Sequence, residues 1–595
     1  MLRHAPRPQP MGLSSDFFFT GSCAIILILH LCLPVIWGDN FFFISESLCD
    51  LIAAGLIFFL SFLFILRKIL NSENILKSKL DIPVLLALSA AVFSLTHSAS
   101  FSESFSSVLF LISCVCLFYI LHDSLNSKDV LYVFWSYLLV FSILVAVLAI
   151  WEYLFAQNPL SIEMRRSLTG FNHGTHFGFF YKRIASLFDW PNLLAGYLML
   201  VIPLTWASFM LVQKLWQKRI LIVLIFLFLL VFFLTFSFLC CVSFLVVSLL
   251  ILPLILKECH KININKVPFW LVGGSLLLFF LIILVVRKDF DIAARKEYLK
   301  LAFLLLRDNP WFGSGADTFN TVSTKYITYN LGFSSYVHNS YLQLWVENGI
   351  LGFIAVISLI TVFAQRAYRM LKEQQDHSNR IILIGFIWAI TSFLIDNLTN
   401  YTMLRPDVLF FWWAILAAFF AFERITSHPE PISRHLEPIY CHSEPQGRRI
   451  SMGSFASLRM TISVVSLFIL AALLYLVLRM SSGLLSYQQG VKSFDNQDYN
   501  SAETFFYRSQ QLDPIELTYP MAIGSVYLRK YLFSRDPRYL DMAQKEYEQA
   551  RALAPNFHKI YFTLSNIAAE KKDYSKANQL LKEAARLCPI AYSKN

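Results

Sequence analysis

The chain has 595 residues, of which 56% are hydrophobic and only 15% charged, and its formal net charge is +11. A soluble globular chain carries about 25% charge, so a purely soluble protein is excluded and an integral membrane protein with one soluble domain is expected. The positive balance fits basic residues gathered on cytoplasmic loops, and no nucleic-acid partner is expected. Most of the ten cysteines fall inside apolar runs, among them Cys114, Cys116, Cys240 and Cys241, which gives no disulfide framework. No CxxC or HExxH spacing occurs, so neither a metal nor another cofactor is expected.

The N-terminal stretch MLRHAPRPQPMGLSSD is basic and Pro-rich and reads as a cytoplasmic tail over 1–16. The apolar run after it lacks a small-x-small cleavage site, so it reads as an uncleaved first span. A span needs about 20 largely apolar residues. By hydropathy, spans are predicted at 17–38, 48–66, 80–96, 105–121, 130–155, 186–212, 220–236, 238–256, 268–286, 350–365, 381–396, 408–422 and 461–478. The fold class is therefore all-α, a polytopic bundle of about 12 spans plus one. The run 219–257 is too long for one span and is divided near Phe236–Phe238.

Lysine and arginine set the orientation. Arg3 and Arg7, then Arg67, Lys68, Lys77 and Lys79, then Lys214, Lys218 and Arg219, then Lys257, Lys261 and Lys266, then Arg366, Arg369, Lys372 and Arg380 all fall on one side, which is read as cytoplasmic. Two outer loops break the pattern. One is 156–185, with Arg165, Arg166, Lys182 and Arg183. The other is 287–349, with Arg287, Lys288, Arg295, Lys296, Lys300, Arg307 and Lys325. Basic residues on the outer side need another reason, and an anionic ligand there supplies one.

Segment 423–460 holds His428, His435 and His442, each followed closely by a Glu-Pro pair. Proline keeps such a chain extended, and the stretch reads as a disordered cytoplasmic linker, not a metal site. The span 461–478 then returns the chain outward. Over 484–590 small residues and prolines recur at helix-turn-helix spacing. Ala543 to Ala577 and Pro555 to Pro589 match the roughly 34-residue tetratricopeptide period. Three repeats are about the minimum for a stable stack, whose concave face would take an envelope protein partner.

Three outer features carry chemistry. Arg183 stands at the entrance of a span in YKRIASLFDWPNLLAGYLML, ahead of Asn192, and a guanidinium forks onto phosphate oxygens. Arg295 opens an amphipathic helix in which Ala294, Tyr298, Leu301, Ala302 and Leu305 share a face. Asn309–Pro310 ends that helix, and Gly313 and Gly315 of NPWFGSG allow a tight turn. His338 lies in SSYVHNSYLQLWVENGILG, where a helix would bring Asn339, Gln343 and Glu347 near it at successive turns. A histidine near neutral pKa takes a proton from an attacking hydroxyl. Glu347 reads as its orienter or as a plain helix-face carboxylate before Gly349 and Gly352.

R-IASLFDWPN, NPWFGSGADTF and HNSYLQLWVENGILG, in this order among about a dozen spans, resemble the O-antigen ligase and polymerase superfamily over roughly 17–422. The resemblance implies a GT-C-like glycosyltransferase, usually inverting and metal-independent. It would move a glycan from an undecaprenyl-diphosphate carrier to an acceptor at the outer face of the bacterial inner membrane. The acceptor would be lipid A-core, another glycan or a protein. It further implies that His338 engages or deprotonates the acceptor hydroxyl and that Arg183 and Arg295 hold the diphosphate; beside this, Glu347 is read as a second catalytic group and Arg287 as a further diphosphate contact. Members commonly carry a Ser-Arg pair at the outer end of a middle span. Here Ser237 is followed by Phe238, and Arg287 or Arg183 is expected to compensate. A lipid-glycan transporter would place polar groups at mid-membrane, and a non-catalytic scaffold would leave the outer arginines and His338 unexplained. The expectation is thus a ligase first and a polymerase second, with the repeats on the periplasmic side.

Overall fold

Backbone N–H and C=O groups inside a bilayer meet no water, so a long apolar segment satisfies them by coiling into a helix. The computed structural model describes residues 15–36, 46–155, 183–261, 292–327, 336–427 and 450–592, and every regular element there is helical. Eleven of the described helices are long and apolar enough to cross a membrane. The first eight helices are α1 (Ser15–Ile36), α2 (Glu46–Leu70), α3 (Asp81–Ser94), α4 (Phe101–Ser124), α5 (Lys128–Phe155), α6 (Pro191–Leu211), α7 (Leu215–Leu234) and α8 (Phe238–Lys261). The amphipathic α9 (Ile292–Asp308) follows, then α10 (Ser340–Glu373), α11 (His377–Asp396), α12 (Pro406–Ser427) and α13 (Ile450–Asp495).

Each predicted span inside the described residues overlaps one of these helices, although 186–190 of the span 186–212 form a turn ahead of α6; residues 37–38 and 268–286 fall outside the described residues. Arg287 and residues 156–182 also lie outside. The run 219–257 is broken where expected, with α7 ending at Leu234 and α8 beginning at Phe238. The predicted span 80–96 is a shorter helix than the rest. Its 14 α-helical residues are continued by a 3-10 turn, Leu95–His97, and together they reach about 27 Å.

Ion pairs gather the basic loops at one end of the bundle. Arg67 meets Asp16 at 3.0 Å, Lys68 meets Asp123 at 2.6 Å and Arg366 faces Glu423 at 3.7 Å. The buried Glu258 takes His377 at 2.7 Å and Arg380 at 2.8 Å. A buried carboxylate persists only when paired in this way. Arg183, Arg295, His338 and the turn after Asn309 lie at the opposite end, where α6, α8 and α10 begin and α7 and α11 finish. The centre is built from α6, α11 and α12, whose Leu, Ile, Phe and Trp side chains are buried almost without interruption. A helix apolar all round belongs in the middle of such a bundle.

The C-terminal part departs from the expected layout in two respects. Residues 423–427 and 450–460 of the predicted disordered linker are helical, as the end of α12 and the start of α13, while 428–449 lie outside the described residues. The predicted span 461–478 is a section of α13, whose 46 residues run unbroken into the region of the predicted repeats. No proline interrupts it, so nothing forces the helix to stop at the bilayer surface. Its upper half packs antiparallel on α14 (Tyr499–Leu512), with Phe506 against Gly490. Then α15 (Thr518–Ser534) pairs with α16 (Arg538–Leu553), and α17 (His558–Glu570) with α18 (Tyr574–Leu587). This helical array sits at the same end as His338. Thr324, in the 3-10 turn Thr324–Tyr326, donates to the Leu587 carbonyl at 3.1 Å.

Candidate active site

Two glycines fix the floor of the site. Asn309 ends α9, and its Nδ2 donates to the Gly313 carbonyl at 2.7 Å, closing the NPWFGSG turn. The turn lies directly against a break in α10 at Gly349, where φ is +67° and ψ is −171°. Gly313 has φ +75°; a Cβ there would stand 2.2 Å from the Glu347 carbonyl oxygen, and one on Gly349 would stand 2.2 Å from that of Trp311. Only glycine permits both this backbone and this approach. The carbonyls freed at the break are taken up by the turn. Ser314 N–H donates to Val346 O at 3.0 Å and Gly315 N–H to Glu347 O at 2.9 Å, while Ile350 N–H donates back to Trp311 O at 3.3 Å.

This floor carries the start of α10. Asn339 is its N-cap, and its side chain accepts from the Leu342 N–H at 3.0 Å. His338 therefore precedes the helix, and its φ of +59° puts it in the left-handed region, which costs a non-glycine residue on the order of 1 kcal/mol. Its ring lies between two tyrosines, 5.7 Å from Tyr298 in a stacked arrangement and 5.0 Å from Tyr401 edge to face. Tyr401 in turn stacks on Tyr336 at 4.2 Å. Burial among these rings, with Arg295 nearby, lowers the His338 pKa from 6.5 to about 3, so the imidazole is neutral.

Three arginines surround the loop 397–405. Arg183 Nε donates to Thr235 O at 3.0 Å, and its Nη2 reaches Asn192 Oδ1 at 2.8 Å and Ser237 Oγ at 3.2 Å. Ser237 also donates to Asn192 Oδ1 at 2.8 Å. Arg295 donates to the Thr399 carbonyl. Arg405 pairs with Asp189 and donates to the Tyr336 hydroxyl at 3.2 Å. All three cations act on the Tyr401 phenol, whose pKa burial nonetheless raises to about 12. Behind them runs a buried polar chain. Asn192 Nδ2 lies 3.4 Å from Asn400 Oδ1, and Asn400 Nδ2 donates to Asp396 at 2.7 Å.

The sequence-predicted residues thus divide. Arg183, Arg295, Asn192, Asn339 and His338 converge, while Arg287 lies outside the described residues. Gly313, Gly315 and Gly349 build the floor, while Gly352 lies one turn further along α10, against Asn348 and Leu344 of the same helix. Glu347 is a buried carboxylate of that floor. Its Oε1 accepts from Gln343 Nε2 at 2.9 Å and from Phe319 N–H at 3.2 Å, and the orientation expected toward His338 is replaced by these contacts. Asn339, Gln343 and Glu347 occupy the cap and successive turns of α10 as expected, but His338 stands outside that helix. Arg405, Tyr336 and Tyr401 were missed. Arg405 carried the same signal as Arg183, a basic residue at the outer entrance of a span.

Such a site can hold an anion on guanidinium groups and set a neutral imidazole beside it. Among the described residues, no group of three or more His, Cys, Asp and Glu is arranged to hold a metal ion.

Residues 194–357 match the family model described as O-Antigen ligase. The matched segment starts in α6, ends in α10, and contains Arg295, the NPWFGSG turn and His338. Over 145 residues the chain is 25% identical to the teichuronic acid biosynthesis protein TuaE of Bacillus subtilis (strain 168), covering 24% of this chain and 29% of that relative. Over 135 residues it is 24% identical to an uncharacterized protein of Haemophilus influenzae, covering 22% of this chain and 34% of that relative. The chain thus spans about a third or less of the length of these relatives. Together with the eleven apolar helices, these findings support a multi-pass membrane protein of the O-antigen ligase or polymerase type.

Proposed function

We propose that this chain is a membrane glycosyltransferase that moves a glycan from undecaprenyl diphosphate to an acceptor hydroxyl at the outer face of the bacterial inner membrane. In this reading Arg183, Arg295 and Arg405 receive the diphosphate and His338 receives the acceptor. The acceptor oxygen attacks the anomeric carbon, and the bond from that carbon to the diphosphate oxygen breaks. The departing diphosphate keeps the electron pair. Guanidinium groups stabilise the charge that develops on it, a term that commonly dominates catalysis. The hydroxyl proton passes to the His338 imidazole. Burial chiefly, and Arg295 beside it, hold that imidazole at a pKa of about 3; a diphosphate on Arg295 offsets the second of these and makes His338 a stronger base.

The observation that carries this reading is the meeting of His338 and three arginines around Tyr401. These cations stand at the end opposite the basic loops, so the positive-inside rule does not account for them. A ligase acting on lipid A-core is the first choice. A polymerase would use the same chemistry with a second lipid-linked glycan as acceptor. The C-terminal helical pairs are read as tetratricopeptide repeats on the periplasmic side, displayed to an envelope protein. The test is transfer from undecaprenyl-diphosphate glycan in membrane vesicles, with lipid A-core, free lipid-linked glycan or a periplasmic protein offered in turn. Transfer by the wild type and none by His338→Ala is expected, and the acceptor used separates ligase from polymerase. Normal transfer by His338→Ala removes His338 from the mechanism.

A further inference from the structure

We propose that Gln343 sets the pose of His338, as a positioning residue that touches neither donor nor acceptor. Its catalytic consequence rests on the transferase reading above; its geometry does not. Gln343 lies in the first turn of α10 and is 1% exposed. Its Oε1 accepts from the Val337 N–H at 3.0 Å, and Val337 immediately precedes His338. Its Nε2 donates to Glu347 Oε1 at 2.9 Å. A flipped amide would set its NH2 against the Val337 N–H and its oxygen against a carboxylate. The Val337 N–H can only donate, so it fixes the amide oxygen toward itself, and the NH2 then reaches Glu347. Glu347 is itself tied to the Phe319 N–H at 3.2 Å and, through its carbonyl, to the Gly315 N–H at 2.9 Å. Gln343 therefore couples Val337, directly before His338, to the glycine floor.

His338 requires such a coupling. A left-handed histidine persists only where its surroundings over-determine the backbone. On its C-terminal side the anchors are the Asn339 cap and the Ser340 N–H, which reaches Asn397 O at 3.0 Å and Asn400 O at 3.2 Å. On its N-terminal side the Tyr336 side chain is held by Arg405 and Tyr401, and the backbone of Val337 is held by its N–H on Gln343. Losing that last bond lets the peptide between Val337 and His338 turn out of the left-handed conformation, and the imidazole then shifts against the rings of Tyr298 and Tyr401. This predicts a loss in the chemical step with donor binding preserved, because the arginines hang from other elements.

The experiment compares the full-length wild type, Gln343→Leu and Tyr341→Phe in lipid nanodiscs. Transfer from undecaprenyl-diphosphate glycan is measured, together with diethylpyrocarbonate modification of His338 by mass spectrometry. Gln343→Leu should lower kcat by about tenfold or more with an unchanged donor KM, and raise the rate of His338 modification by about threefold or more. Tyr341→Phe removes a neighbouring buried bond, from the Tyr341 hydroxyl to Leu394 O at 2.6 Å. It should lower Tm and leave kcat and modification unchanged. If Gln343→Leu does not accumulate, Gln343→Met, closer in length and volume, repeats the test. Wild-type kcat and wild-type modification in the Gln343 variant would overturn the proposal, and so would equal losses in Tyr341→Phe. Failure of the wild type to transfer any glycan sinks the transferase reading instead, and the modification rate still decides the positioning.

Discussion

Arg183 Nη2 donates to Ser237 Oγ at 3.2 Å, across 54 positions of sequence. The resembling family commonly carries an arginine directly after this serine, where the chain here has Phe238. The cation reaches the same hydroxyl from another helix entrance. Arg183→Ala should therefore raise the donor KM by roughly tenfold or more, the scale of one charge-assisted hydrogen bond. Lysine should rescue only partly, since it lacks the fork. Adding Phe238→Arg to the alanine variant should recover part of the loss. Titration of donor in the transfer assay checks all three; unchanged donor dependence in Arg183→Ala would remove the diphosphate role.

The neutral imidazole of His338 has a pH signature. Its folded pKa of about 3 lies below the ordinary 6.5, so between the two the unfolded chain binds more protons. His338 costs nothing above pH 6.5 and destabilises the fold progressively as pH falls toward 3. His338→Gln should flatten this acid loss of Tm, measured in detergent from about pH 7 to about pH 4. An identical acid loss in the variant would mean that His338 is not buried neutral. Diphosphate binding should move the His338 titration upward, read by NMR of the labelled imidazole.

Gly313 and Gly349 press on each other's segments, with room for neither Cβ. Each Gly→Ala change should cost about 2 kcal/mol or more, through the left-handed backbone and the forced separation. The double variant should cost less than the sum, because one separation relieves both clashes. Thermal unfolding of the three variants measures this; full additivity would show that the two contacts are independent.

The sidedness is testable without activity. Asn556→Cys in the helical array and Lys77→Cys in the loop after α2 lie at opposite ends of the bundle. In intact cells with a permeabilised outer membrane, an impermeant maleimide should label position 556 and spare position 77. The reverse pattern would overturn the proposed orientation.

Much of the bundle was legible because lipid imposes one rule on every span, and hydropathy reads that rule residue by residue. The break at Phe236–Phe238 was readable as excess length. Arg183 and Arg295 stood out because they violated the charge rule. Arg405 obeyed the same logic but was hidden beside Pro406 at the edge of a span, and its partner Asp189 is 216 positions away. The left-handed backbone at His338 has no local signature, since it follows from Asn397 and Asn400 catching Ser340. Glu347 looked like a helix-face carboxylate near a histidine. Only the folded turn beneath it explains why it faces Gln343 and Phe319.

The continuity of α13 has a mechanical meaning. Its 46 residues span about 69 Å, more than twice the roughly 30 Å of a hydrocarbon core. The helical array is thus carried on a stiff mast and moored again at Leu587 to Thr324. A pull on the array by a bound protein cannot be absorbed by a slack linker. It is delivered as torque on α13 and as a pull on Thr324, the second point at which the array is tied to the bundle.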